Sequence, residues 1–311
     1  MQPIRWLTVV VGVLVSAAII WLIARDIDSA QLTRVLMMAD GKFLALSTLV
    51  ILATMFTRIQ RWAALLHPID LPSPTLLRSL LVGQVLNFVL PLRLGDVARA
   101  VNISRAPGGL SAEHALGSIA LEKAWDWLTL AALSLIVALT VAVPMWYSIA
   151  LRSIGVVAAL VLIGFAAIVL WPRSPWVARF DRLLTRLPLA DRLRRLFSSF
   201  TALRDRSIFG RCAGWSIATW GLGVVANYAG MRAYGVDSWS GALVLMVALM
   251  IGITLPPSIA ALGVFEGVTI SALGAVNVPL ETALAIGLTL HMVIFAPAII
   301  GAGVLIGLKR R

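Results

Sequence analysis

The chain has 311 residues, of which 60% are apolar and only 13% are charged, and its formal net charge is +12. A soluble domain of this size could not cover its surface with so little charge, and the mean hydropathy of +0.96 indicates a membrane protein. Cys212 is the single cysteine and the three histidines are scattered, so we predict no disulfide, no metal site and no cofactor. The sequence has no nucleotide-binding loop or hydrolytic motif, and we expect no catalytic residue.

Seven apolar runs predict membrane-spanning helices, because a helix needs roughly 20 apolar residues to cross the hydrocarbon core. The runs are 6–24, 43–56, 125–143, 154–171, 212–230, 242–255 and 283–308. The first run follows a lone charge at Arg5 and has no small-residue cleavage site before Arg25. We therefore interpret it as a retained signal anchor and not as a cleaved signal peptide.

Two further segments, 76–100 and 243–273, are apolar but interrupted, the first at Pro91 and the second at Pro256. Proline breaks a helix, and a broken helix at membrane depth must be buried in protein or line a wet cavity. One such break in each half is typical of inverted-repeat transporters. We predict an all-α polytopic membrane helix bundle, a single domain over 1–311, with two re-entrant or broken helices. The alternative is a pair of ordinary spans joined by turns.

The connection 173–211 contains ten arginines and only three aspartates. The positive-inside rule places such a segment in the cytoplasm, and the basic C-terminus with it. Counting spans backward predicts a cytoplasmic N-terminus as well. The apolar residues of this connection recur at helical spacing, which favours two amphipathic helices on the cytoplasmic leaflet over a solvated loop. Since the positive charge is explained by topology, we expect no nucleic-acid partner.

Polar and charged residues near or inside the spans form the candidate substrate-binding site, because each charge costs at least about 2.5 kcal/mol on insertion scales. These residues are Arg58, Arg61, Asn87, Arg93, Asp96, Arg99, Glu122, Asp126 and Glu266. Glu122 and Asp126 share one helix face at i,i+4 spacing. The near balance of cations and carboxylates favours an interior ion-pair network, in which a ligand phosphate could displace a carboxylate from an arginine.

Each of these groups also has an alternative interpretation. Arg58 and Arg61 could extend to the cytoplasmic interface. Asp96 could be the N-cap of the following helix, and Glu122 could be a structural ion-pair partner. His291, alone in the last run, is favoured as a packed or interfacial residue over a proton carrier.

In their order and spacing these groups resemble a known family. The matching residues are Arg58-x-x-Arg61-Trp62, Asn87-x-x-Leu90-Pro91-x-Arg93-x-Gly95-Asp96-x-x-Arg99, Glu122-Lys123-x-x-Asp126 and Leu255-Pro256-x-Ser258-x-x-x-x-Gly263-Val264-x-Glu266. The pattern is similar to the lysylphosphatidylglycerol synthase transmembrane-region family, also described as flippase-like. The chain differs from the family pattern at Ala260-Ala261, where Gly-Gly is common, and at Phe265, where a basic residue is common.

The resemblance implies movement of an anionic or lipid-linked substrate between leaflets. We expect the arginines at 58, 61, 93 and 99 to neutralise its phosphate, because guanidinium binds phosphate through two donors. The carboxylates at 96, 122, 126 and 266 would hold those arginines in the empty state, and one of them could carry a coupling proton. The soluble aminoacyl-transferring half of the synthases is not found after Leu308, so we expect no lysyl-lipid synthesis. The expected partners are membrane lipids with anionic head groups or polyprenyl-phosphate-linked glycans, and we allow for a homo-oligomer. The expected location is a bacterial inner (plasma) membrane. Two alternatives stay open: a membrane component of an enzyme acting on polyprenyl-phosphate-linked glycans, and a non-transporting partner of lipid-modifying enzymes.

Overall fold

The structure is a computed structural model that describes residues 2–89, 94–108, 110–170, 205–252 and 261–308. The regular elements in these ranges are eleven α-helices. They are α1 (Gln2–Arg25), α2 (Ser29–Met37), α3 (Gly41–Leu66), α4 (Ser73–Val89), α5 (Leu94–Ser104), α6 (Ala112–Thr140), α7 (Met145–Leu170), α8 (Arg206–Arg232), α9 (Trp239–Gly252), α10 (Val264–Gly274) and α11 (Leu280–Leu308). The prediction of an all-α membrane helix bundle is confirmed.

Four of the described helices are long and apolar enough to cross a membrane. The stretches are Gly41–Leu66 in α3, Ala112–Thr140 in α6, Tyr147–Gly164 in α7 and Leu280–Gly301 in α11. Large apolar side chains on these helices point outward, and Leu49, Leu139 and Leu160 are each more than 60% exposed. In water such a surface would be an aggregation hazard, whereas in a bilayer it contacts lipid.

Two pairs of short helices form the interruptions that the prolines predict. Helix α4 ends at Val89 and α5 begins at Leu94, and the two helices pack against each other. Helices α9 and α10 are a second packed pair, with α9 ending at Gly252. Helix α9 has 14 residues and α10 has 11, or about 21 and 16 Å, which is shorter than the ~30 Å hydrocarbon core. Pro91 and Pro256 themselves lie outside the described residues.

The first short pair, α4 with α5, is held together by a close backbone approach at two glycines. A Cβ atom added to Gly95 would lie 2.0 Å from the carbonyl oxygen of Gly83 and 2.6 Å from the backbone nitrogen of Asn87. Only glycine fits at such a separation. The contact sets α5 against α4 and so determines where the side chains that follow Gly95 are placed.

The helices form two sets of four with matching lengths. Helices α3 to α6 have 26, 17, 11 and 29 residues. Helices α8 to α11 have 27, 14, 11 and 29 residues. The packing repeats too. The second helix of each set contacts the last helix of the other set, α4 with α11 and α9 with α6. The last helix of each set contacts the first helix of the other set, α6 with α8 and α11 with α3. The first helix of each short pair therefore packs on the long last helix of the other half, and the second packs on the last helix of its own half.

The two halves run in opposite directions, as their first helices show. The Ser47 hydroxyl on α3 donates to the carbonyl oxygen of Ala226 on α8, and Thr219 of α8 donates to Thr57. Residue numbers rise along α3 as their partners' numbers fall along α8, so the two helices are antiparallel. The repeat is thus inverted, as predicted.

Helix α8 begins inside the segment that the sequence assigns to the arginine-rich connection. Asp205 accepts hydrogen bonds from the backbone nitrogens of Ser207 and Ile208, which caps the helix at its first turn. The last residues of the 173–211 prediction are therefore part of α8. The amphipathic helices predicted earlier in this connection lie outside the described residues.

Candidate functional site

The candidate site is centred on Glu122, a fully buried carboxylate in the middle of α6. Its Oε2 lies 2.8 Å from Nη2 of Arg99 on α5, and its Oε1 lies 3.4 Å from Nη2 of Arg61 on α3. Three helices that are separate in the chain therefore meet at one acid. Arg58, Arg61, Arg99, Glu122 and Asp126 are called the arginine cluster below.

Arg61 binds two carboxylates of α6, Glu122 and Asp126. Its Nη1 lies 2.9 Å from Oδ1 of Asp126 and donates to the Ser216 hydroxyl of α8 at 3.3 Å. The i,i+4 spacing of Glu122 and Asp126 lets one guanidinium reach both, as their position on one helix face predicts. Arg61 is 1% exposed, so the alternative that its side chain extends to the interface is wrong. Trp220 on α8 also donates to Asp126, at 3.4 Å.

Arg99 is held from two sides. Its guanidinium carbon lies 3.6 Å from the ring centroid of Trp62, in a cation–π arrangement, while its Nη2 pairs with Glu122. The Trp62 indole in turn donates to the Ser118 hydroxyl at 3.0 Å. Ser118 and Ser216 were not predicted as site residues, and no sequence signal distinguishes them from other serines on apolar helices.

Arg58 differs from the other two arginines of the cluster. Its Nη1 donates to Oε1 of Gln84 on α4 at 3.4 Å, and it forms no ion pair with any carboxylate in the described ranges. Lys123 adds a further positive charge, 3.9 Å from Asp126. Around Glu122 and Asp126 the described residues therefore supply four cations for two carboxylates, which differs from the near balance expected from the sequence.

Asn87 and Asp96 lie at the facing ends of α4 and α5. The Asn87 amide donates to Oδ1 of Asp96 at 3.0 Å. Asp96 is the third residue of α5, which begins at Leu94, so the alternative that Asp96 is the N-cap of this helix is wrong. Arg93, which was predicted to join this group, lies outside the described residues.

Glu266 lies apart from the arginine cluster, near the start of α10. Its Oε2 accepts from the backbone nitrogen of Gly263 at 2.8 Å, and its Oε1 lies 2.6 Å from Nδ1 of His291 on α11. None of the described arginines forms an ion pair with it. The structure thus brings Arg58, Arg61, Arg99, Glu122 and Asp126 together and places Glu266 with a histidine that the sequence favoured as a packed residue.

Comparison with known proteins agrees with this architecture. The chain is 24% identical over 265 residues to the Glycosyltransferase AglD of Haloferax volcanii, and the match covers 75% of this chain. It spans only 42% of the length of that relative. The model of the Lysylphosphatidylglycerol synthase TM region family matches far more of the chain, over residues 9–301. The chain is a multi-pass membrane protein that belongs to the Lysylphosphatidylglycerol synthase TM region family.

Proposed function

We propose that this protein moves a lipid with an anionic head group between the two leaflets of its membrane without changing the lipid chemically. The observation that supports this most directly is the excess of positive charge in the arginine cluster. Charged groups inside a membrane protein are costly, and an interior cluster with more cations than carboxylates is best satisfied by an anion. A lipid phosphate is the anion that a bilayer supplies.

The guanidinium groups suit a phosphate in particular. Guanidinium is planar and binds phosphate oxygens through two parallel N–H bonds. Arg58 has no described carboxylate as a partner, and Nε of both Arg61 and Arg99 is buried and forms no hydrogen bond within the described ranges. A phosphate that enters the cluster can therefore bind to donors that the protein leaves unused.

An apolar cavity beside Arg58 provides space for the lipid chain. It has a volume of about 400 Å³ and lies between α3, α4 and α11. Met55, Ile59, Leu81 and Ala298 are among its lining residues. Arg58 lies between Met55 and Ile59 in the sequence, and it binds Gln84, which is one helical turn beyond Leu81. A lipid whose head group binds Arg58 would therefore have its hydrocarbon chain at the mouth of the cavity.

The inverted repeat supplies a means of alternating access. In transporters with inverted repeats, one half moves against the other around a site built from broken helices. Here α4 packs on α11 and α9 packs on α6, so each short helix pair bridges the long last helices of the two halves. In this proposal the arginine cluster faces one leaflet and then the other.

A second substrate source is a polyprenyl phosphate that carries a glycan. The partial match to a protein named a glycosyltransferase favours it, since such a lipid also presents a phosphate on a long apolar chain. The arginine cluster does not discriminate between this lipid and a phospholipid, because both share the phosphate. In this form of the proposal, the protein supplies the lipid to a separate transferase or removes the lipid from it.

A leaflet-resolved assay tests the proposal. Purified full-length protein is reconstituted into liposomes with fluorescent phosphatidylglycerol, phosphatidylcholine or a polyprenyl phosphate, and the fraction accessible to an external quencher is followed over time. We expect faster movement of one of the two lipids with net negative charge than of phosphatidylcholine. Equal rates for all three lipids, or rates equal to those of empty liposomes, would contradict the proposal.

Arg58→Gln is expected to abolish most of this movement with little loss of stability. Because Arg58 has no ion-pair partner among the described residues, its removal leaves no carboxylate orphaned, and we expect the free energy of unfolding to change by no more than about 1 kcal/mol. Arg58→Lys should restore only part of the rate, since lysine cannot bind phosphate through a planar pair of donors. Both variants are compared with the parent for lipid movement and for thermal unfolding in detergent.

The matched control is Arg25→Gln, which removes an exposed arginine whose partner Asp26 is also exposed. This variant should move lipid at the parental rate. If Arg58→Gln also moves lipid at that rate, Arg58 does not contact the head group, and the phosphate-binding role assigned to it is wrong.

A further inference from the structure

The pair formed by His291 and Glu266 is the counterpart, in the second half, of charged positions in the first half. Glu266 is the third residue of α10, as Asp96 is the third residue of α5. His291 is the twelfth residue of α11, as Lys123 is the twelfth residue of α6. The first half thus has a lysine at this position, whereas the second half has an imidazole, a side chain that can be neutral or protonated.

The pair is enclosed by protein. His291 is 3% exposed and Glu266 is 6% exposed, and the ring of Phe265 lies 4.8 Å from the imidazole, centroid to centroid. The backbone nitrogen of Gly263 holds the second carboxylate oxygen. In such surroundings water screens charge poorly, so a change in the net charge of the pair alters its interactions with the helices around it. A change of protonation therefore has a structural consequence.

Few other ionisable groups lie on α10 and α11, which carry this pair, or on α1 and α9, which pack on α10. Helix α9 has none, α10 has only Glu266, and α11 adds Glu281 to His291; α1 contributes Arg5 and Arg25. The ionisable residues of the other helices packed on α11 are Arg34, Lys42, Arg58, Arg61, Arg78, Arg206, Arg211, Cys212, Tyr228 and Arg232. None of the described basic residues on these helices forms an ion pair with Glu266, whose described ionic partner is His291.

A row of aromatic rings in contact connects this pair to the end of α4. The imidazole of His291 packs on Phe295 of α11, with centroids 4.2 Å apart, and Phe295 stacks on Phe88 of α4 at 3.9 Å. Phe88 follows Asn87, which binds Asp96. The start of α10 and the end of α4 are therefore both in contact with one segment of α11.

We propose that His291 and Glu266 form a proton-binding site that couples the transmembrane proton gradient to movement of the lipid. This inference rests on the proposed function and adds its energy source. The pair takes up one proton from one side of the membrane, and its net charge changes from −1 to zero. The same proton leaves to the other side after the halves have moved, and no bond other than that to the proton is made or broken.

The charge change explains why the two movements are coupled. A negative pair repels an anionic head group that approaches between the short helix pairs, and protonation removes that repulsion. The pair with a net charge of −1 also holds α10 against α11 differently from the protonated pair. The row of rings transmits this difference to α4. Proton uptake therefore favours the state that accepts the lipid.

The test uses the liposome assay with fluorescent phosphatidylglycerol and an imposed gradient of about two pH units within the range where histidine titrates. In the parent protein, we expect the initial rate to differ at least about fivefold between the two gradient directions, the lower end of typical coupling. A protonophore should remove the difference. Glu266→Gln and His291→Gln should move lipid at rates that do not respond to the gradient, and the control Glu281→Gln should respond as the parent does.

The outcomes separate the two proposals. Lipid movement that ignores the gradient in the parent, or a parental response in Glu266→Gln, overturns the coupling and leaves the lipid-moving function intact. Absence of lipid movement in the parent overturns the function itself. The proton site then has its own measurement, a potentiometric titration of the detergent-solubilised protein from about pH 5 to about pH 8. His291→Gln should bind about one proton fewer than the parent, whereas identical curves would refute the site.

Discussion

Replacing Glu122 by methionine is expected to lower the stability of the folded protein by about 3–5 kcal/mol, the usual cost of breaking a buried ion pair. Glu122 is 1% exposed and lies within 3.4 Å of Arg61 and 2.8 Å of Arg99. Methionine fills a similar volume, so the cost arises from the charges left behind and not from a cavity. Arg61 keeps Asp126, but Arg99 loses its described carboxylate.

The measurement is thermal unfolding of the purified protein in detergent, together with the yield of monodisperse protein. Glu281→Met is the control, because Glu281 lies in the first turn of α11 and is only partly buried. Loss of its favourable interaction with the helix dipole should cost no more than about 1 kcal/mol.

A double variant identifies the source of the loss. Arg99→Met combined with Glu122→Met removes both members of the closest ion pair of the arginine cluster, and Arg61 retains Asp126 at 2.9 Å. We expect the double variant to be more stable than Glu122→Met alone, yet unable to move lipid. A double variant that is less stable than Glu122→Met would mean that Arg99 stabilises the fold mainly through its stacking on Trp62 and not through the ion pair.

Gly95→Ala is expected to destabilise the protein by about 1–3 kcal/mol, as overpacking does in a close-packed interior. The new methyl group would be placed 2.0 Å from the Gly83 carbonyl oxygen, and backbone cannot yield as a flexible side chain can. Helices α4 and α5 must separate. The separation displaces Asp96 from Asn87 and moves Arg99. The rate of lipid movement should therefore fall even in the fraction of the protein that remains folded.

Gly214→Ala is the matched control for this substitution. Gly214 lies within α8, and no atom of the described residues lies within 4 Å of a Cβ atom added there. Alanine favours a helix over glycine by up to about 1 kcal/mol, so this variant should be unchanged or slightly more stable. If Gly95→Ala unfolds at the same temperature as the parent and moves lipid normally, the close approach of α4 and α5 is not required.

Much of the fold follows from local sequence, because a bilayer leaves few choices. A run of apolar residues in a membrane must be helical to satisfy its own backbone, so the predicted runs 125–143 and 283–308 lie within α6 and α11, apart from the last residues of the first run. The interruptions near Pro91 and Pro256 were predictable since proline removes a backbone donor. The amphipathic helix α2 was not predicted, because its nine residues carry too short a pattern.

The candidate site was predictable as a set of residues but not as a set of pairs. Each charge within a span requires a partner, and this requirement alone singles out Arg61, Arg99 and Glu122 in the sequence. Which carboxylate meets which arginine depends on how α3, α5 and α6 pack, and Arg61 and Asp126 are 65 positions apart. Glu266 was therefore grouped with the arginines, although its described partner is His291.

The sequence by itself determined the membrane class, the helical content, the two interruptions and the residues whose charge needs compensation, because hydrophobicity and backbone hydrogen bonding act locally. Only the tertiary structure decided the excess of cations around Glu122, the absence of an ion-pair partner for Arg58 among the described carboxylates and the burial of the His291–Glu266 pair. These depend on contacts between different helices, which bring together residues that are far apart in the chain. The spacing of residues along a single helix carries no information about which distant helix will pack against it.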